Sequence, residues 1–280
     1  MLLQSLWHWA VAELMQSSST PHLDVELLLA MHLGLTRAQL YSQAACSVVS
    51  LPTKRAIKAT VKHRKMGEPM AYLLGQQEFW SLRFLVNSSV LVPRPETELL
   101  VELVLKNYTT AAKKIADLGT GSGAIALALA SERPAWHLIA TDCCRDALRL
   151  AERNSHRHGL QNVELRWGDW CGAFQTGECF DAIISNPPYL AYQDLHFQSE
   201  LGLRFEPEIA LISGENGLNH IKVIIDQARH YLRAGGWLFL EHGYKQGEFV
   251  RQFFLKCGYQ RLQQHKDLAG NPRVMSGKWH

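Results

Sequence analysis

The sequence predicts an α/β chain: a small N-terminal helical bundle, a β-hairpin linker, then a parallel sheet wound with helices on both faces. Two observations carry this. From Pro93 onward, short apolar strands alternate with helical stretches, which is the pattern of consecutive βαβ units. Residues 1–75 hold helical periodicity and almost no strand signal. At 280 residues, 47% hydrophobic and 20% charged, the chain can bury an ordinary core without disulfide staples.

Taken in order, Leu2, Leu3, Leu6, Trp9, Ala10, Glu13 and Leu14 trace an amphipathic first helix that stops in the polar run at 16–20. A second helix follows Pro21, running from Asp24 to Leu33, and ends at Gly34. Thr36 reads as the N-cap of a short third helix. A fourth, Pro52 to Met66, carries Lys54, Arg55, Lys58, Lys62, Arg64 and Lys65 and is closed by Gly67. Such a basic face is either a solvated surface or a dock for an acidic or ribonucleoprotein-associated partner. Residues 76–93 read as the hairpin linker, with 78–80, 83–86 and 90–92 as its extended runs. Over 94–280, strands are expected at 114–117, 137–141, 163–167, 182–185 and 237–240, with helices such as 124–131 and 146–158 between them.

Composition narrows the function classes. A formal charge of +3 is mildly basic, short of the footprint of a dedicated nucleic-acid binder. The six cysteines include no Cys-x-x-Cys spacing, so no metal site is expected and reduced thiols in a cytoplasmic protein are the simplest reading. No apolar run approaches the roughly 20 residues that span a bilayer.

Three segments carry chemistry. The first expected strand runs into Asp117-Leu118-Gly119-Thr120-Gly121-Ser122-Gly123 and then an alanine-rich helix. A strand, a glycine turn and a helix N-terminus form a nucleotide-type cradle. The Gly-x-Gly-x-Gly spacing behind an aspartate suits S-adenosylmethionine better than a dinucleotide; another nucleotide ligand and a merely tight turn are the competing readings. Asp142 ends the second strand, where it could hold both ribose hydroxyls or simply cap the next helix. Asp169 and Trp170 end the third, where a carboxylate or amide could read adenine and the indole could stack on it or fill the core.

The third segment, Asn186-Pro187-Pro188-Tyr189, ends the fourth strand. A planar –NH₂ group is a poor nucleophile because its lone pair is delocalised. Gripping both N–H groups turns that lone pair toward an incoming methyl. Asn186 can accept one N–H through its side-chain oxygen and the Pro187 carbonyl can accept the other, while the paired prolines fix the backbone in advance. Tyr189 can pack on the flat face of the substrate group. Taken alone the segment could be a rigid turn; beside the glycine loop and Asp142 it reads as a site.

Together with GQQEFWSLRFLV at 75–86, LVPRPETE at 91–98, LRFEPEIAL at 203–211 and DLAGNPRV at 267–274, these motifs resemble the protein-(glutamine-N5) methyltransferases of bacterial peptide-chain release factors. The resemblance implies a Rossmann-like class I S-adenosylmethionine-dependent methyltransferase domain at 94–280 and a substrate-recognition domain at 1–75. It implies that Gly119, Thr120, Gly121, Ser122, Gly123, Asp142, Trp170 and Asn186 contact the cofactor. Asn186, Pro187, Pro188 and Tyr189 would hold the glutamine of a Gly-Gly-Gln loop, with Asn186, Pro187 and Tyr189 serving catalysis. Release factors would be the partners, with no membrane and no nucleic acid required. Arg94 and Glu96 either meet substrate or open a helix behind Pro95. Gly-Glu-Asn-Gly at 214–217 departs from relatives that have aspartate before the last glycine, in what reads as a peripheral loop. Rival readings are an adenine-N6 methyltransferase acting on DNA or RNA, a non-catalytic cofactor-binding translation-associated protein, and, against the glycine spacing, an NAD-dependent oxidoreductase.

Overall fold

The computed structural model describes residues 2–43, 47–193 and 202–280; Cys46 lies outside them. These residues divide into two compact units, 2–76 with 202–205, and 77–193 with 206–280.

The first unit is helical: α1 (Leu3–Leu14), α2 (Pro21–Leu33), α3 (Arg37–Gln43), α4 (Leu51–Lys65) and α5 (Met70–Leu74). Leu3, Leu6, Ala10 and Leu14 recur at helical spacing and are buried with Leu28, Leu29, Ile57 and Val61 in one core. Truncating such a leucine to alanine costs about 2–5 kcal/mol. Thr36 does cap α3: its hydroxyl accepts the Gln39 N–H at 3.2 Å, and Gln39 Oε1 accepts the Thr36 N–H at 2.9 Å, a reciprocal capping box. Helix α2 starts a turn earlier than expected because Pro21 suits the first helical position. Half the basic face of α4 holds its own bundle together. Arg64 pairs with buried Asp24 at 2.7 Å, Lys65 reaches Glu13 at 2.7 Å, and Lys58 stands over the Trp9 ring at 4.7 Å. Helix α5 was not expected; five residues are too few to show a period.

From Gln77 on, the second unit opens with the ribbon of β1 (Gln76–Phe79) and β2 (Leu82–Leu85), turned through Trp80 and Ser81, both at positive φ as a tight hairpin turn demands. The expected extended run at 90–92 is not a strand. Its Val92 N–H donates to the Glu206 carboxylate at 3.0 Å rather than to a neighbouring strand. After a short 3₁₀ turn at Pro95–Thr97 come α6 (Glu98–Asn107), β3 (Lys114–Leu118), α7 (Ala124–Glu132), β4 (His137–Asp142), α8 (Arg145–His158), β5 (Val163–Trp167) and β6 (Phe180–Ser185). Then follow α9 (Asn219–Ala228), β7 (Leu232–Glu241), α10 (Gly247–Lys256), β8 (Gln260–Lys266) and β9 (Pro272–Lys278).

The seven-stranded sheet has the order β5-β4-β3-β6-β7-β9-β8. Strands β3 to β7 are parallel, and β9 runs antiparallel between β7 and β8. The central strands are apolar throughout because helices cover both faces; Ile115, Ala116, Ile139, Ile183 and Leu238 are fully buried. The order reverses between β3 and β6, and in such sheets a crevice opens at the carboxyl ends of those two strands.

Candidate active site

Both halves of the site meet at that reversal. Ser185, the last residue of β6, donates its hydroxyl to the Leu118 carbonyl at 2.7 Å and ties the ends of β6 and β3 together. Beyond β3, Gly119, Gly121 and Gly123 all take positive φ. The turn is held from β4: Thr120 N–H donates to the Thr141 carbonyl at 2.9 Å and Gly121 N–H to Asp142 Oδ2 at 2.9 Å. A Cβ on Gly119 would press on the Trp170 ring at 3.2 Å, whereas Gly121 faces open space. Gly123 serves packing: its Cβ position is blocked by Leu127 at 2.9 Å and Ala151 at 3.3 Å.

Asp142 holds two backbone segments at once. Its Oδ1 accepts the Cys144 N–H at 2.8 Å at the start of α8, and its Oδ2 holds the glycine turn. Each oxygen keeps a further lone pair for a ribose hydroxyl. Burial pushes this carboxyl up, opposed by the N–H groups of Cys144 and Gly121. Asp117 lies deeper. Its Oδ2 accepts the Thr120 hydroxyl at 2.6 Å and the Ala126 N–H at 3.2 Å, while Oδ1 has no partner. Burial pushes Asp117 up to about 7.

Strand β5 ends at Trp167, so Asp169 and Trp170 stand just past the strand, at the head of a 3₁₀ turn. The backbone of Trp170 is at φ 47°, and its ring packs 5.3 Å from that of His220.

Gly119, Thr120, Gly121, Ser122, Asp142, Asp169, Trp170, Asn186 and Pro188 line one cleft, whose empty volume, counting space open to solvent, is about 1000 Å³. Gly123, Pro187 and Tyr189 do not line it. Pro187 is buried, and Tyr189 has its phenol beside the Glu241 carboxyl and its carbonyl held by Gln246 Nε2 at 3.0 Å. The loop at 214–217 is not peripheral: a Cβ on Gly217 would fall 2.1 Å from the Tyr189 carbonyl oxygen.

The cleft also gathers residues that had no individual role assigned from sequence: Pro93 and Thr97 of the 91–98 motif, Ile209 of the 203–211 motif, and Val90 and His220. Arg94, which lines it too, forms an ion pair with Glu206, a residue 1% exposed at its side chain; Glu96 is exposed. Glu206 thus clamps the 92–94 segment from the far side of the sequence, through both Val92 N–H and Arg94. Neither residue was legible as a pair, since 112 positions separate them.

These residues fit S-adenosylmethionine. The open space at Gly121 admits a ligand against bare backbone, Asp142 can take a ribose diol, and Asp169 with the Trp170 ring can meet a flat base. Among the described residues, no group of three or more His, Cys, Asp or Glu is arranged to hold a metal ion.

Comparison with known proteins agrees with this geometry. A family model described as "Methyltransferase small domain" matches residues 95–203, and one described as "PrmC N-terminal domain" matches 5–75. The release factor glutamine methyltransferase of Coxiella burnetii is 48% identical over 259 residues, covering 92% of each chain. That of Escherichia coli is 41% identical over 276 residues, covering 98% of each. Among solved structures, a methyltransferase from Pyrococcus furiosus superposes with a TM-score of 0.53 at 20% identity, over 79% of this chain and 96% of its own. A T. thermophilus 16S rRNA N2 methyltransferase solved with AdoMet and guanosine gives 0.52 at 16%, over 73% and 50%. The two structures speak for the fold, and the sequence relatives for the family: this chain belongs to the release factor glutamine methyltransferases.

Proposed function

We propose that this protein transfers a methyl group from S-adenosylmethionine to the side-chain amide nitrogen of the glutamine in a Gly-Gly-Gln loop of peptide-chain release factors. The observation that carries the reading is Asn186: it stands at the end of β6, in the same cleft as the glycine turn after β3 and Asp142 after β4. When bound, the cofactor supplies an electrophilic methyl on a sulfonium. The chain's own part is alignment and desolvation, which are worth several kcal/mol. Asn186 Oδ1 and the Pro187 carbonyl each accept one N–H of the amide, so its lone pair is presented to the cleft. The buried prolines hold these acceptors in place.

The helical unit at 1–75 has the role of recognising the body of the release factor, because a lone glutamine offers little to distinguish. A translation factor as substrate places the reaction in the cytoplasm; no described helix is long and apolar enough to cross a membrane.

The test is mass spectrometry of an unmodified release factor after incubation with the protein and S-adenosylmethionine. A gain of one methylene, mapped by fragmentation to the Gly-Gly-Gln glutamine, is the expected result. No gain with intact cofactor binding would overturn the substrate and turn attention to adenine-N6 in nucleic acids.

A further inference from the structure

A carboxamide can sit either way round in its pocket, and only one way helps this reaction. If Asn186 presented its NH₂ to the acceptor amide, two donors would face each other. Something must hold Oδ1 toward the substrate, and the structure shows what touches the other end. Asn186 Nδ2 lies 3.0 Å from the hydroxyl oxygen of Thr97, which is 4% exposed and lines the same cleft. The Thr97 hydroxyl also stands beside the carboxyl of Glu241, the last residue of β7, and favours its charged form; Glu241 is 1% exposed and its Oε2 has no partner.

We propose that Glu241 and Thr97 are positioning residues that set the orientation of the Asn186 amide. The argument is one of proton counting. A hydroxyl has one proton, and an ionised carboxylate can only accept. With Glu241 ionised, Thr97 must donate to it and can only accept from Asn186. The NH₂ of Asn186 is then committed to Thr97, and Oδ1 is left for the acceptor nitrogen. With Glu241 protonated, the carboxylic acid can donate to Thr97, whose proton is free to turn to Asn186 Oδ1, and the amide can reverse.

Glu241 is placed to switch near neutrality. Burial pushes it up to about 7, together with the nearby charge of Glu96, against the Thr97 and Tyr189 hydroxyls and the Arg273 guanidinium on β9. His242, the next residue after β7, is held toward its neutral form by burial, with Nδ1–H donating to the Gly243 carbonyl.

The proposal rests on the glutamine-methylating reading, and its test separates the two. Thr97→Val keeps the shape and removes the hydroxyl. It should lower kcat roughly ten- to a hundredfold with little change in cofactor Kd, and Thr97→Ser should restore most of the loss. The parent should lose kcat below neutral pH, and Glu241→Gln should lower kcat at pH 8 and abolish that fall. A Thr97→Val enzyme with kcat within about twofold of the parent would overturn the relay. If the parent methylates no release factor, the proposed function fails instead, and the relay is read by NMR from solvent exchange of the Asn186 side-chain NH₂. Slow exchange in the parent and fast exchange in Thr97→Val supports it; equal exchange in both overturns it. Should Thr97→Val not fold, the pH profile of Glu241→Gln decides alone: an unchanged acid limb refutes the proposal.

Discussion

On the proposed mechanism, replacing Asn186 with alanine removes one of two acceptors for the reacting amide, and kcat should fall roughly a hundredfold or more in the release-factor assay. An unchanged kcat would take Asn186 out of the reaction centre. Asp142→Ala acts on a different quantity. It frees the glycine turn and removes the proposed ribose acceptor, so cofactor Kd measured by calorimetry should rise while the helix start at Cys144 loosens. Asp117 gives a pH signature. Its folded-state value of about 7 lies above the ordinary carboxylate range, so between about pH 4 and 7 the folded protein holds a proton that the unfolded chain releases. Stability from this group is therefore complete below pH 4 and lost as pH rises through 7. Asp117→Asn should flatten that slope in denaturant titrations, though Glu241 leaves some of it in place. The glycine turn, Asp142 and Asn186 were legible because each sits in a contiguous motif. His220 and Glu241 were not, and Thr97 and Glu206, though inside the 91–98 and 203–211 motifs, had no role of their own there, because their meaning comes from partners brought in by other elements.

At the scale of elements, the 92–94 segment depends on a clamp rather than on pairing with a strand. Glu206→Ala leaves the buried Val92 N–H without an acceptor and Arg94 without its counter-ion. It should cost about 1–3 kcal/mol, read as a lowered Tm, and weaken cofactor binding because that segment lines the cleft. The five parallel strands were all located from sequence; β4, β6 and the end of β7 show the largely apolar runs of buried parallel strands, whereas β5 has no buried residue. Strands β8 and β9 escaped. Gln260–Lys266 is a polar edge strand with no buried residue, the composition that protects a sheet from pairing with another chain. In β9 the buried positions include Ser276 and Gly277, which carry no apolar signal. Loop 214–217 was misjudged for a similar reason. Glycine there answers to the Tyr189 carbonyl, a neighbour the local sequence cannot reveal.

For the whole molecule, the helical unit has its own buried core, distinct from that of the sheet. Removing 1–75 should raise KM for an intact release factor far more than for a short Gly-Gly-Gln peptide; equal effects on both would sink its recognition role. The division of the chain into a helical and a sheet-bearing part was visible as a change of period, from helical spacing to strand-length apolar runs. That residues 202–205 return to the helical unit was not visible, because nothing in their composition marks it.

The bond between Ser185 and Leu118 joins residues 67 positions apart at the end of the β3–β6 ladder that brings the two halves of the cleft together. A pairing of such long sequence separation carries a loop-closure cost before any contact rewards it, so it belongs to the slow part of folding. Refolding chains should regain helical circular dichroism well before they regain the ability to bind cofactor. Ligand present during refolding should then act as a trap for molecules that have completed the β3–β6 junction, slowing their return to the unfolded state.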